Sequence, residues 1–193
     1  MIYISDLWRM LGFRIPALHS LAGRGSLAGG VAVFCIGFLA YALVRNSVYA
    51  HLPEMLDRQP GLIGSFFDLN LIRTVLFLML IYIPALIILG NGIAGRKRGF
   101  SISGKEYISQ ASLFFPLWGL LFLVTAPIQW LAPHFLIAGM FEISVGLLVR
   151  SILLLVYTAW AIRHLNNVSQ MQSLAAFAFS LFTLPLYFLL ISL

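Results

Sequence analysis

Five long apolar stretches, each near or above the roughly 20 residues needed to cross a bilayer, dominate this chain. A backbone surrounded by hydrocarbon must satisfy its own hydrogen bonds, which leaves only helices or closed barrels. Barrel strands alternate apolar and polar residues over about ten positions. Here the apolar runs are continuous, so the sequence predicts helices. Composition agrees: 61% of the 193 residues are hydrophobic, 9% are charged, and the mean hydropathy is +0.99. A soluble domain carries about 25% charged residues. So few charges cannot clothe a water-facing surface of this size.

The predicted fold class is therefore all-α, a polytopic bundle of about five transmembrane helices in a single domain. Spans are expected at about 27–44, 73–93, 107–130, 135–161 and 171–193. Residues 1–25 form an arm instead. Ile4, Leu7, Trp8 and Leu11 recur at helical spacing, with Ser5, Asp6 and Arg9 opposite, as in an amphipathic helix lying in the headgroup plane or capping the bundle. Two S-x-x-E/Q spacings, Ser103 to Glu106 and Ser169 to Gln172, mark helix starts. No cleavable signal pattern is expected at the N-terminus.

The 12 Lys and Arg residues outnumber the 6 Asp and Glu. In a soluble chain that balance would raise nucleic acid as a partner. Here the bases sit mostly in short loops, where they meet anionic phospholipid headgroups and set topology. Arg96, Lys97 and Arg98, with Lys105 beyond them, form the densest group. Arg9, Arg14, Arg24 and Arg163 fall on the same predicted side. The expected orientation has the N-terminus in the cytoplasm and the C-terminus outside, in a multi-pass protein of a bacterial inner membrane.

Ionisable residues inside a span each cost about 2.5–3.5 kcal/mol on insertion scales. Glu142 and Arg150 fall within the predicted fourth span, with Gly146 between them on one helical face. Hairpin counting sets Arg150 level with Thr183 and Tyr187 of the fifth span, and level with Pro116 of the third, where the Ser112 carbonyl is freed. This polar face reads either as a cavity for a headgroup, ion or proton, or as interhelical glue. The fifth span also carries Ser173, Ala176, Ser180, Thr183 and Tyr187, a small-and-hydroxyl stripe suited to close helix contact.

Enzyme signatures are missing: there is no H-E-x-x-H, no nucleotide-binding glycine loop and no G-x-S-x-G. His19, His51, His134 and His164 lie in separate loops, and Cys35 stands alone in an apolar run. No cofactor and no metal site are expected, and the chain reads as non-enzymatic. The expected role is an interaction or organising protein, or an accessory subunit of a larger inner-membrane assembly. Its partners would be the bilayer and a membrane protein or a second copy. The alternative is a small transporter or lipid- or ion-binding carrier using Glu142 and Arg150.

The layout resembles the Yip (Ypt-interacting protein) membrane family, in particular its small bacterial members. The likeness rests on the Leu7-Trp8-Arg9 stub, the Gly104-Lys105-Glu106-Tyr107 entry to the third span followed by Pro116, and Val168-Ser169 leading into Ala175-Ala176. It implies a non-enzymatic five-span protein with a cytoplasmic N-terminus. Eukaryotic members are linked to Rab-type GTPases through a long polar N-terminal region that this chain lacks, so that link does not carry over. No catalytic or ligand residue transfers.

Overall fold

The computed structural model describes residues 2–50, 69–94, 102–128, 134–137, 141–186 and 189. The arm is a helical hairpin, α1 (Ile2–Leu11) and α2 (Ile15–Arg24). Then follow α3 (Leu27–Ala50), α4 (Leu69–Phe77), a π-helical segment (Leu78–Tyr82), α5 (Ile83–Ala94) and α6 (Gly104–Thr125). Two short strands, β1 (His134–Ile137) and β2 (Phe141–Ser144), pair antiparallel before α7 (Val145–Asn166) and α8 (Gln170–Ser180). Among the described residues, four segments are long and apolar enough to cross a membrane: Leu27–Val44, Ile72–Ile93, Gly104–Thr125 and Leu148–Asn166. The chain is thus an α-helical membrane-type bundle, as its apolar runs require.

Of these spans, α6 is the axis. In its apolar 18-residue window 78% of the residues are buried, against 28–33% in the corresponding windows of the other three. It starts cleanly because the Ser103 side chain accepts the Glu106 N–H while the Glu106 carboxylate accepts the Ser103 N–H, a complete capping box. Its main partner is α3. Gly30 of α3 lies against Pro116 and Ser112, Gly37 against Gly119, and Phe38 and Tyr41 against Phe122. Numbers rise together on both helices, so α3 and α6 run parallel, as a first and a third span must. At Gly37 and Gly119 the contact is backbone to backbone, and a Cβ on either glycine would collide with the opposing main chain. In lipid, where apolar burial drives little association, close packing of small residues supplies the attraction.

The other spans run against this pair. Trp118 Nε1 donates to Thr158 Oγ1 of α7 at 3.2 Å in the buried interior. The π segment precedes Pro84, whose missing N–H leaves a helical carbonyl without its usual partner. It carries Tyr82, which is buried, 5.1 Å from the Trp118 ring, and accepts a hydrogen bond from Ser180 Oγ of α8. On α8, Ser173, Ala176 and Ser180 are all buried, so that much of the small-residue stripe makes the helix contact read from the sequence. Leu80 (68% exposed), Ile152 and Phe182 point outward, an inside-out distribution expected of a lipid-facing surface.

The arm caps the bundle. Leu7, Met10, Leu18 and Leu21 belong to the core, while Ile4 and Trp8 face outward. Tyr157 Oη donates to the Leu11 carbonyl, one of the orphan acceptors at the end of α1. Phe13, at φ 56°, holds its strained turn by stacking on Tyr157 at 4.4 Å and meeting Trp160 edge-on.

Three expectations require correction. The fourth span does not begin at 135: residues 134–144 include the β1–β2 hairpin, and the helix starts at Val145. The third helix ends at Thr125 rather than 130: Ala126 keeps helical geometry and bonds the Phe122 carbonyl, but Pro127 has no N–H to offer the Leu123 carbonyl. The fifth is interrupted after Ser180 by a 3-10 turn, Leu181–Thr183, where the Leu184 N–H bonds the Leu181 carbonyl. Pro185 cannot bond that carbonyl, so the tighter turn serves it instead. Residues 51–68, the Arg96-Lys97-Arg98 group and Tyr187 lie outside the described residues.

Replacing Gly119 with Ala should force α3 and α6 apart and cost about 2–3 kcal/mol, overpacking with no flexible neighbour to yield. Gly23, with nothing within 4 Å of an added Cβ, should accept Ala with no loss or a gain of about 0.5 kcal/mol. Thermal unfolding in mild detergent measures both; equal tolerance at the two glycines would contradict this packing.

Candidate functional site

Up-and-down threading gathers one end of every span at the arm. There α5 ends near Asn91, α6 begins before Gln110, α7 ends at Asn166 and α8 begins after Ser169. The α7–α8 turn is built locally: Asn167 takes the left-handed conformation (φ 55°), and the Val168 N–H bonds the Arg163 carbonyl. Ser169 and Gln172 then close a second capping box. This turn delivers Asn166 beside the start of α6.

The result is a polar recess with a volume of about 350 Å³, lined by His19, Asn91, Glu106, Ser109, Gln110 and Asn166 among others. Its floor is an amide relay. Asn91 Nδ2 donates to the Ile87 carbonyl of its own helix at 2.8 Å and to Gln110 Oε1 at 2.9 Å. Gln110 Nε2 then donates to Asn91 Oδ1 and to Asn166 Oδ1, each at 3.1 Å. Amide orientation follows from the network. A backbone carbonyl can only accept, so Ile87 fixes Asn91, Asn91 fixes Gln110, and Gln110 fixes Asn166. The relay ends with Asn166 Nδ2 as a buried donor lacking a partner. That nitrogen faces Gly90, where an added Cβ would sit 3.3 Å away. Ser109 Oγ adds a 2.7 Å bond to the Ala22 carbonyl, tying the arm to the rim.

Electrostatically the recess mixes signs. Glu106 contributes a carboxylate whose Oε2 already accepts from the Ser103 backbone and hydroxyl, and His19 stands across the mouth. Lys105 is exposed in the first turn of α6, beside this rim. Among the described residues there is no group of three or more His, Cys, Asp or Glu placed to hold a metal. The amides of the relay recognise shape and hydrogen-bonding groups.

The residues expected to share an intramembrane polar face do not share one helix. Glu142 lies on β2, paired in register with Leu136, and not within a membrane helix. Gly146 is in the first turn of α7. Arg150 is 9% exposed, at the opposite end of the bundle from the recess. Its guanidinium lies 4.2 Å from the Tyr41 ring centroid and 5.5 Å from that of Phe122, so its contacts are on α3 and α6. The Ser112 carbonyl proposed for it instead faces Gly30. Thr183 Oγ1 donates to the Ser180 carbonyl of its own turn. A guanidinium over two aromatic faces is held by the ring quadrupoles. Its Nη1 is buried without a hydrogen-bond acceptor.

The recess is built from neutral amides, which carry no charge to mark them out within an apolar run. Asn91, Gln110 and the paired Asn166-Asn167 were visible as amides in or at the end of apolar runs. Comparison with protein families, curated proteins and solved structures finds no match to this chain.

Removing the middle of the relay tests it. Gln110→Leu should cost about 1–2 kcal/mol in mild detergent, since it strands groups on two helices. Asn166→Ala, which removes a side chain already half unpartnered, should cost less than half as much. The reverse order would contradict the relay.

Proposed function

We propose that this chain is a non-enzymatic interaction or organising protein of a bacterial inner membrane, an accessory subunit that presents its recess-bearing end to a membrane-protein partner or a second copy. The observation that carries this reading is the contrast between the bundle's middle and that end. The middle holds the α3–α6 backbone contact and rings from Phe34, Phe115, Tyr82 and Trp118. The polar surface opens at the end where the arm, Lys105 and Arg163 gather. A protein that moves a solute needs a polar path at mid-depth; one that organises others needs a shaped polar face on a rigid support.

The rest of the reading follows from charge. Basic residues collect at the recess end, so the positive-inside tendency assigns that end, with the N-terminus, to the cytoplasm. The likeness of Leu7-Trp8-Arg9 and Gly104-Lys105-Glu106-Tyr107 to the Yip family supports a non-catalytic role with the same orientation. The second reading, a lipid or ion carrier, draws on Arg150 Nη1, a buried donor still without an acceptor.

Photocrosslinking residues placed at His19 and Lys105 in cells should give one defined covalent product with a membrane protein or a second copy. The same residue at Leu80, on the lipid-facing side, should give none. Equal yields at the three positions, or a small molecule co-purifying in stoichiometric amount and lost in Arg150→Met, would overturn the organising role in favour of the carrier.

A further inference from the structure

A second concavity lies on the lipid-facing side of the same end, between α7 and α8, with a volume of about 260 Å³. Val156, Ala159, Trp160 and Leu174 line it, with Arg163 and Gln170 at the end nearest the α7–α8 turn. From Val156 to Arg163 is seven residues, roughly 10 Å along the helix axis at about 1.5 Å per residue. The groove therefore starts at the end of the span, where headgroups sit, and runs into the hydrocarbon layer. Its polarity changes in the same direction. Arg163, in the last turn of α7, is exposed, and among the described residues it has no ion pair. Gln170 is exposed in the first turn of α8.

We propose that this groove is a binding site for one anionic phospholipid, independent of whatever partner the recess engages. An acyl chain lies over Val156, Ala159 and Leu174, against the Trp160 ring. The phosphate meets the Arg163 guanidinium, whose planar fork takes two phosphate oxygens at once. The Gln170 amide donates to a further headgroup oxygen. Charge complementarity selects this occupant: a helix from a protein partner would leave Arg163 facing hydrocarbon or demand an acid, whereas a phospholipid carries anion and chain at the spacing the groove offers. Trp160 is fixed edge-on against Phe13 of the arm, so the site also couples the lipid to the arm's position.

The test uses the full chain in phosphatidylcholine nanodiscs containing a minor fraction of lipid with brominated acyl chains. Bromine quenches tryptophan on contact, and the Trp160 contribution is the difference between the wild type and Trp160→Phe. Brominated phosphatidylglycerol should half-quench Trp160 at roughly one-fifth the mole fraction needed for brominated phosphatidylcholine, the ratio expected for one arginine near an anionic headgroup. Arg163→Gln, a change at an exposed position, should make the two lipids equivalent, and Arg163→Lys should keep part of the preference. Equal quenching by both lipids in the wild type would overturn the site. So would a preference that survives Arg163→Gln, since other basic residues would then be its source.

Discussion

The parallel contact of α3 with α6 is the constraint on which the remaining architecture rests. Gly37 and Gly119 let two backbones touch, and this closeness buries α6 along most of its length. A central helix so enclosed can carry a tryptophan, a glutamine and a threonine inside a membrane, because each has a protein partner within reach. Trp118 finds Thr158, Gln110 finds Asn91 and Asn166, and Thr125 finds the Leu121 carbonyl. Without the glycine contact, Trp118 and Gln110 would meet lipid, where an unpaired donor is costly.

The same contact divides the molecule by depth. In the middle, the α3 and α6 backbones touch and aromatic rings pack around them. At one end Arg150 sits over Tyr41 and Phe122, fastening α7 to the α3–α6 pair by cation–π attraction. At the other, the amide relay fastens α5, α6 and α7 with hydrogen bonds. The two ends thus use different chemistry for one purpose. The amide end opens outward in the polar recess, and it is the end that the arm and two capped helix starts shape. Among the described residues the two buried donors without a partner, Arg150 Nη1 and Asn166 Nδ2, both belong to α7. That helix also lines both concavities.

Much of this was written locally. The capping boxes at Ser103 and Ser169 stand in the structure as their spacing predicts, and the span boundaries at Leu27 and near Arg73 follow hydropathy closely. What could not be read is tertiary. An apolar run such as residues 134–144 has no period that separates a short strand from a helix, so hydropathy alone places Glu142 in a helix that begins only at Val145. Arg150 was paired by counting outward from turns, which assumes straight hairpins; the β1–β2 pair and the 3-10 turn before Pro185 both break that assumption. The recess joins Asn91, Gln110 and Asn166 from three separate spans, and nothing local marks their meeting.

The glycine contact itself is open to direct measurement. Solid-state NMR of the glycine-labelled protein in lipid bilayers reports carbon pairs at short range, and replacing either glycine identifies the peak. A strong Gly37–Gly119 correlation, lost when Gly37 is changed to Ser, is the predicted result. A folded, bilayer-embedded protein whose spectrum holds its intrahelical correlations but no contact between those two residues would contradict the account.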